Sequence, residues 1–388
     1  MRSDFYNTLS SLPEDAIAFW QRFRQLLRQA VQPTIDEHWL NGTFPHHVIK
    51  PIGRFLETEF GDQEYVFPPA DSLRFRLMKL EMGRIDPSMA SFVAVHFGLT
   101  MGSIASFGSA EQKQKWLPPM LRMDKIGSWA LTEPYAGSDV ASGLRCTATQ
   151  TADGWVVNGQ KKWAGNASMA DVIVVWASIP GTRRMVGFLV EPQMAGVKID
   201  KIHDKIAKRA MENVIITLEN VHLQEHHRLP NIDKFKQLNT QLTHGRVAVA
   251  WEALGIAMGA FEAALAYTDT RKQFGKPISG FQLIQEKLVN MLEEITCMQT
   301  LLCQLHNNEM ASGELTGPQA SLAKRACCRR ARKVCSWARE VMGGNGILLE
   351  YGVARLFADM EAVYSYEGTD EINTLIVGRQ LTGQSAFV

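Results

Sequence analysis

Residues 154–163 read GWVVNGQKKW, and runs such as DVIVVWA (171–177), MVGFLVE (185–191) and NVIITLENV (213–221) carry the same extended character, separated by Gly, Asn and Pro. A period of two sends successive side chains to opposite faces of a strand, so a β-domain is predicted between about Gly127 and Arg228. The pattern differs on both sides. From about Pro13 to Arg122, stretches such as PEDAIAFWQRFRQLLRQAV repeat apolar residues every three or four positions. There Ser11 and Glu14 have the spacing of a capping box. From about Lys234 to Gly383, long amphipathic helices return, broken at Gly275-Lys276-Pro277 and at Gly343-Gly344-Asn345-Gly346. The fold class is therefore α+β: an N-terminal helical domain over 1–126, a central β-domain over 127–233 and a C-terminal helical domain over 234–388. No βαβ alternation occurs and no GxGxxG follows a strand, which argues against a Rossmann nucleotide site.

A chain of 388 residues can bury enough surface to enclose a cofactor. Lys plus Arg number 41 against 40 Asp plus Glu, a net charge of +1, so no long-range field exists to grip nucleic acid or an anionic membrane. The six cysteines form no CxxC pair or regular framework and read as free thiols in a reducing compartment. The first residues lack the basic start and apolar run of a secretory signal, and Ala386-Phe387-Val388 is no peroxisomal address, so a cytoplasmic protein is expected. The apolar stretch Val247 to Tyr267 is interrupted by Glu252 and Glu262 and thinned on one face by Gly255 and Gly259. It is expected to be a buried helix and not a membrane span.

Two local matches carry little weight. His222-Leu-Gln-Glu-His226 fits the HxxEH pattern of some zinc proteases, with His227 as a further ligand. That chemistry needs a helix, whereas this segment follows a strand and runs into Arg228-Leu229-Pro230, so no metal site is expected. The basic run 324–333, KRACCRRARK, interleaves no aromatics and reads as a solvated helix face.

Three segments resist reading as plain scaffold. LTEPYAGSD (131–139) offers the hydroxyls of Thr132 and Ser138 around a permissive Gly137, followed by Trp163 near Gly165 and Asn166, which suits a planar ligand. RKQFGKPISGFQ (271–282) brings a phosphate-pairing Arg271 and a stacking Phe274 to a turn at Gly275. MGGNGI (342–347) precedes SYEGTDEINTLIVGR (365–379), where Glu367 stands on a turn before a helix capped by Thr369, with Asp370 and Glu371 in its first turn. Tyr364 and Tyr366 provide a wall that would exclude water and raise the pKa of Glu367.

The ordered set LTEPYAGSD, NGQKKW, RKQFGKP, MGGNG and YEGT spans about 240 residues and resembles the acyl-CoA dehydrogenase and oxidase superfamily. The pattern SYEGTDEINTLIVGRQLTG is similar to that of its glutaryl-CoA dehydrogenases and plant short-chain acyl-CoA oxidases. The resemblance implies an N-terminal helical domain, a central β-domain and a C-terminal four-helix bundle, assembled as a homotetramer with FAD between subunits. In this family a carboxylate removes the α-proton of an acyl-CoA while the β-hydrogen leaves as hydride to flavin N5, giving a trans-2-enoyl-CoA. Glu367 matches that base. Some relatives carry the base on the helix beside the position of Arg246, where this chain has Gly245.

By the same resemblance, Thr132, Ser138, Trp163 and Thr369 would hold the flavin or its phosphate. Arg271, Gln273, Phe274, Gly343 and Gly344 would reach FAD of a neighbouring subunit, and Arg246 and Tyr366 would flank the substrate. Two departures from the family matter. Gly165 stands where the dehydrogenase pattern has Thr or Ser, which leaves open whether electrons pass to an electron-transfer flavoprotein or directly to oxygen. Ala90 stands where glutaryl-CoA dehydrogenase has a carboxylate-binding arginine. A buried carboxylate without a counter-charge is costly, so glutaryl-CoA is disfavoured; Phe92 and Val95 are expected to line an apolar pocket for a short or medium acyl chain, with packing in the core as the equal alternative for Phe92. The expected activity is thus FAD-dependent dehydrogenation of a short- or medium-chain acyl-CoA in fatty-acid metabolism.

Overall fold

A computed structural model describes residues 2–60 and 72–387 of the chain. Its N-terminal part is helical: α1 (Glu14–Ala30), α2 (Ile35–Asn41), α3 (Ile49–Phe60), α4 (Leu73–Ile85), α5 (Pro87–Val93), a π-helical turn over Ala94–Met101, α6 (Gly102–Phe107) and α7 (Ala110–Leu121). Helix α1 buries Phe19, Trp20, Phe23 and Leu27, the face its period of three and four marked out. The expected capping box at its start does not form. Pro13 occupies the N-cap and the Ser11 hydroxyl donates to the Thr8 carbonyl, because a short 3-10 turn over Leu9–Ser11 has already used that segment.

The strands predicted from the extended runs are all present. Seven strands form one sheet: β1 (Gly127–Ala130), β2 (Thr147–Thr151), β3 (Gly154–Gly165), β4 (Val172–Ser178), β5 (Met185–Val190), β6 (Val197–Lys201) and β7 (Asn213–Leu223). They lie in the order β1-β4-β2-β3-β7-β6, with β5 also paired to β4. Strand β5 and all of β4 but its last residue, Ser178, are buried, in keeping with their apolar runs. The HxxEH segment is the end of β7 and a 3-10 turn, where Glu225 accepts from the Trp155 indole and pairs with Arg228.

The C-terminal part comprises α8 (Asn239–Thr270), α9 (Gln282–Ser312), α10 (Gly317–Val341), α11 (Val353–Ser365) and α12 (Asp370–Thr382), with a two-stranded hairpin of β8 (Lys272–Gln273) and β9 (Lys276–Pro277) between α8 and α9. The basic run lies on α10 and is consumed in packing the bundle: Arg329 pairs with Asp370, Arg330 and Lys333 with Glu294, and Arg332 with Glu361. Helix α8 is the buried one expected, with residues 247–258 inside the core.

Small residues let α8 press backbone to backbone on α4. A Cβ on Gly255 would lie 1.9 Å from the Leu80 carbonyl oxygen, one on Gly259 2.4 Å from that of Arg84, and one on Gly83 2.5 Å from that of Glu252. These separations exclude any side chain, so the N-terminal helices and the bundle are locked at one spacing. Gly255→Val is accordingly expected to lower stability by about 3 kcal/mol, the upper range for overpacking, measured as a reduced urea midpoint. Gly378→Ala on α12, where a Cβ meets nothing within 4 Å, should be neutral or slightly stabilising in the same assay.

Candidate active site

The contact between α4 and α8 forms one wall of a cavity of about 870 Å³ where the three parts of the chain meet. Thr132, Gly137, Ser138, Trp163 and Gly165 line it from the β-domain, Gly245, Ala248 and Val249 from α8, and Tyr366, Glu367, Gly368 and Thr369 from the turn before α12.

Strand geometry places the indole. Lys162 pairs with Ile215 and Ala164 with Val214, so Trp163 is an extra residue bulged out of β3, at φ 67° and about half exposed. A bulge re-aims a side chain in this way. The loop 131–139 is fastened from beneath by the fully buried Lys161, which donates to the Leu131 carbonyl at 3.0 Å and to Glu133 Oε1 at 2.7 Å. Glu133 also accepts from the backbone of Arg145 and Cys146. The hydroxyls of Thr132 and Ser138 thereby reach the same cavity as Trp163. A Cβ on Gly165 would meet Met211 Cε at 2.1 Å, so a thioether occupies the space of the missing hydroxyl side chain.

The turn carrying Glu367 is held from both sides. Glu367 itself adopts φ 54° and Gly368 φ 88°. Lys324 Nζ donates to the carbonyls of Tyr364 (2.7 Å) and Gly368 (2.9 Å), and Asn373 Nδ2 donates to those of Gly368 and Thr369. Thr369 is the N-cap of α12, its hydroxyl accepting from the Ile372 N–H, as the sequence predicted. This clamp aims the Glu367 carboxylate at α8. A Cβ on Gly245 would stand 3.0 Å from Glu367 Oε2 and 3.4 Å from Oε1, so the glycine makes room for the carboxylate. Burial raises the Glu367 pKa above the ordinary 4.5, against the attraction of Arg246, Lys324 and Lys79. Arg246 flanks it from α8 with its Nε buried and unpartnered, and burial lowers its pKa against the pull of Glu367.

The wall formed by Ser91, Lys79, Lys208 and Tyr366 differs from expectation. Ala90 and Phe92 are wholly buried and do not line the cavity, whereas Ser91 between them on α5 does. Phe92 packs on Phe44 with ring centroids 4.8 Å apart, and the Ala90 carbonyl accepts from Lys79 Nζ at 2.8 Å. Val95 does line the cavity. Lys79 and Lys208 bring two ammonium groups to this wall. Both meet Glu252, Lys79 on Oε2 and Lys208 on Oε1, each at 2.6 Å. Tyr366 donates to Glu252 Oε1 at 2.8 Å and accepts from Lys208 at 2.6 Å. Glu252 was visible in the sequence as the charge interrupting an apolar helix; the lysines, on distant segments, gave no signal.

The remaining site residues stand elsewhere on the chain. Arg271, Gln273 and Phe274 form the exposed hairpin after α8, with Phe274 94% exposed, and Gly343 and Gly344 lie on an exposed 3-10 turn after α10. None of the five lines the cavity.

Comparison with known proteins agrees with this architecture. Family models describe residues 13–124, 128–221 and 235–382 as the N-terminal, middle and C-terminal domains of acyl-CoA dehydrogenase. The chain is 33% identical to a probable acyl-CoA dehydrogenase, YngJ, of Bacillus subtilis (strain 168), covering 92% of this chain and 95% of that protein. It is 31% identical to the mitochondrial short-chain specific acyl-CoA dehydrogenase of Mus musculus, covering 95% and 90%. Among solved structures, a glutaryl-CoA dehydrogenase from Mycobacterium smegmatis in complex with FADH2 superposes with a TM-score of 0.93 at 33% identity, over 99% of this chain and 98% of that one. The motifs, the three-part fold and the matches along nearly the whole length agree: this chain belongs to the acyl-CoA dehydrogenase family.

Proposed function

We propose that the protein is an FAD-dependent dehydrogenase of a short- or medium-chain acyl-CoA, forming the trans-2-enoyl-CoA, with Glu367 as the base. The observation that carries this reading is the desolvated Glu367 carboxylate, seated over Gly245 and facing the cavity shared with Trp163, Thr132 and Ser138. An exposed indole and two hydroxyls around an open Gly137, where a Cβ meets nothing within 4 Å, fit a planar ring with a polar edge and a phosphate. Bound FAD would supply the hydride acceptor for the β-hydrogen.

The chain does the rest. Glu367 Oε takes the proton from the substrate α-carbon, and its raised pKa brings it closer to the acidity of a thioester α-C–H. Gly245, Ala248 and Val249 present an apolar face that keeps water from the carboxylate, and Arg246 and Lys324 hold its charge in place. The cavity volume must serve both a flavin ring and a thioester, which favours a short or medium acyl group. The exposed Arg271, Gln273, Phe274, Gly343 and Gly344 suit contacts to a neighbouring subunit's cofactor in a homotetramer. Six unpaired thiols suit a reducing compartment, here the cytoplasm. The proposed electron acceptor is an electron-transfer flavoprotein. The second reading, an oxidase passing electrons to oxygen, is favoured by Gly165, where Met211 takes the place of a hydroxyl side chain.

Glu367→Gln should keep bound flavin and its yellow colour but lose bleaching by acyl-CoA by at least about a thousandfold in rate; full bleaching would mean that another group takes the proton. Because the variant removes a buried charge, its melting temperature at neutral pH should equal or exceed that of the native protein. The base must be deprotonated to act, so kcat/KM should rise with pH through a midpoint above 4.5, in a profile measured with a saturating electron acceptor. Anaerobic reduction by acyl-CoA followed by air separates the two acceptors: slow reoxidation is expected, and rapid peroxide formation would establish the oxidase.

A further inference from the structure

We infer that Lys208 is a positioning residue: through the Tyr366 hydroxyl it sets the turn that carries Glu367 and registers that turn against the indole wall of the cavity. This rests on the reading of Glu367 as the base. Lys324 and Asn373 grip the carbonyls of Tyr364, Gly368 and Thr369, on either side of Glu367. A non-glycine residue at φ 54° keeps that conformation only where its surroundings over-determine it. Tyr366, the residue just before it, supplies a further hold. Its hydroxyl donates to Glu252 Oε1 at 2.8 Å and accepts from Lys208 Nζ at 2.6 Å, so the ring cannot turn without breaking both bonds.

Lys208 is itself held on every side. Its ammonium has Pro87 O, Ser91 Oγ, Glu252 Oε1 and Tyr366 Oη all within 2.7 Å. Its backbone N–H donates to Asp359 Oδ1 on α11, the helix that runs into the turn. Lys208 also stands at φ 50°, a second non-glycine residue in the left-handed region at this wall. One side chain and its peptide thus touch α5, α8, α11 and the turn, although they come from the segment between β6 and β7.

That segment also reaches the opposite wall. Lys205 Nζ donates to the carbonyls of Lys208 and Met211 and to Asn213 Oδ1, at 2.9, 2.6 and 2.7 Å. Asn213 Nδ2 donates in turn to the Trp163 carbonyl at 3.2 Å. A continuous path of bonds therefore runs from the bulged indole residue through Asn213, Lys205 and Lys208 to Tyr366, the neighbour of the base. Lys208 is the link at which this path crosses from the β-domain to the turn. Reacting groups tolerate little displacement, so a loosened link should slow the reaction of bound substrate and leave its binding nearly intact.

The test follows anaerobic flavin bleaching of the flavin-loaded enzyme by butyryl-CoA or octanoyl-CoA, whichever reduces the native protein faster. Lys208→Met should lower the limiting rate at saturating thioester by at least about tenfold, while the half-saturating concentration moves less than about threefold. Tyr366→Phe should slow it comparably, and the double variant should be no slower than either single one, because both break the same link. Lys208→Arg, which keeps the charge and the donors, should restore part of the rate. Lys201→Met frees the same segment from Gly42 and Glu212 without touching the turn; it should lower the melting temperature and leave the limiting rate within about twofold of native. A native rate in Lys208→Met or Tyr366→Phe, an equal loss in Lys201→Met, or losses that multiply in the double variant would overturn the proposal. Should Lys208→Met fail to fold, Tyr366→Phe, which removes only a hydroxyl, decides the matter. Glu367→Gln run alongside separates the two readings: retained bleaching there overturns the base, whereas its loss beside native rates in the other variants overturns only the positioning role. Bleaching of the native enzyme by neither thioester would overturn both.

Discussion

Glu252 is a carboxylate set inside an otherwise apolar helix, and the geometry of the cavity depends on how its charge is met. It draws Lys79 from α4, Lys208 from the segment after β6 and the Tyr366 hydroxyl from the turn that carries Glu367. Removing Glu252 would strand two buried ammonium groups, a penalty of roughly 3–5 kcal/mol for a broken buried pair. The bridge therefore fixes three parts of the chain relative to one another at the place where Glu367 must be aimed. The close approach of Gly255 and Gly259 to α4 brings the helices near enough for Lys79 to reach across.

Two carboxylates on neighbouring elements are thus given opposite characters by their surroundings. Glu252 lies between two ammonium groups that lower its pKa in spite of complete burial, so it stays charged and structural. Glu367 is pushed up by burial, and among the described residues cations lie near but none bonds to its oxygens, so its lone pairs face the cavity. Lys324, the cation on its own side, spends its hydrogen bonds on the carbonyls of the turn. It steadies the backbone around Glu367 without taking up its carboxylate.

Much of the chain was legible from local pattern. The four quoted runs are β3, β4, β5 and β7, α1 follows the three-and-four repeat, and Thr369 caps α12, because periodicity and cap chemistry act over a few residues. Glu367 was legible through YEGT, and Thr132, Ser138 and Trp163 through their motifs. The pocket wall was not. The alignment of Ala90 with a missing arginine asked which residue type stands at one position, whereas the cavity responds to whichever charge reaches that space. Lys79 reaches it from eleven positions earlier in the chain, and Lys208 from the far side of β6.

The sequence by itself determined the order of helical, extended and helical segments, the motifs of the family, the proposed base and the glycine opposite it, since each is written in neighbouring residues. Only tertiary structure decided that Ala90 and Phe92 face the core, that the basic run of α10 is spent on ion pairs, and that Trp163 bulges out of its strand. It alone showed that Lys79 and Lys208 converge on Glu252 at one wall of the cavity. The reason is physical: burial and charge balance are properties of a space enclosed by segments far apart in the chain, and no local pattern records which side chains will share it.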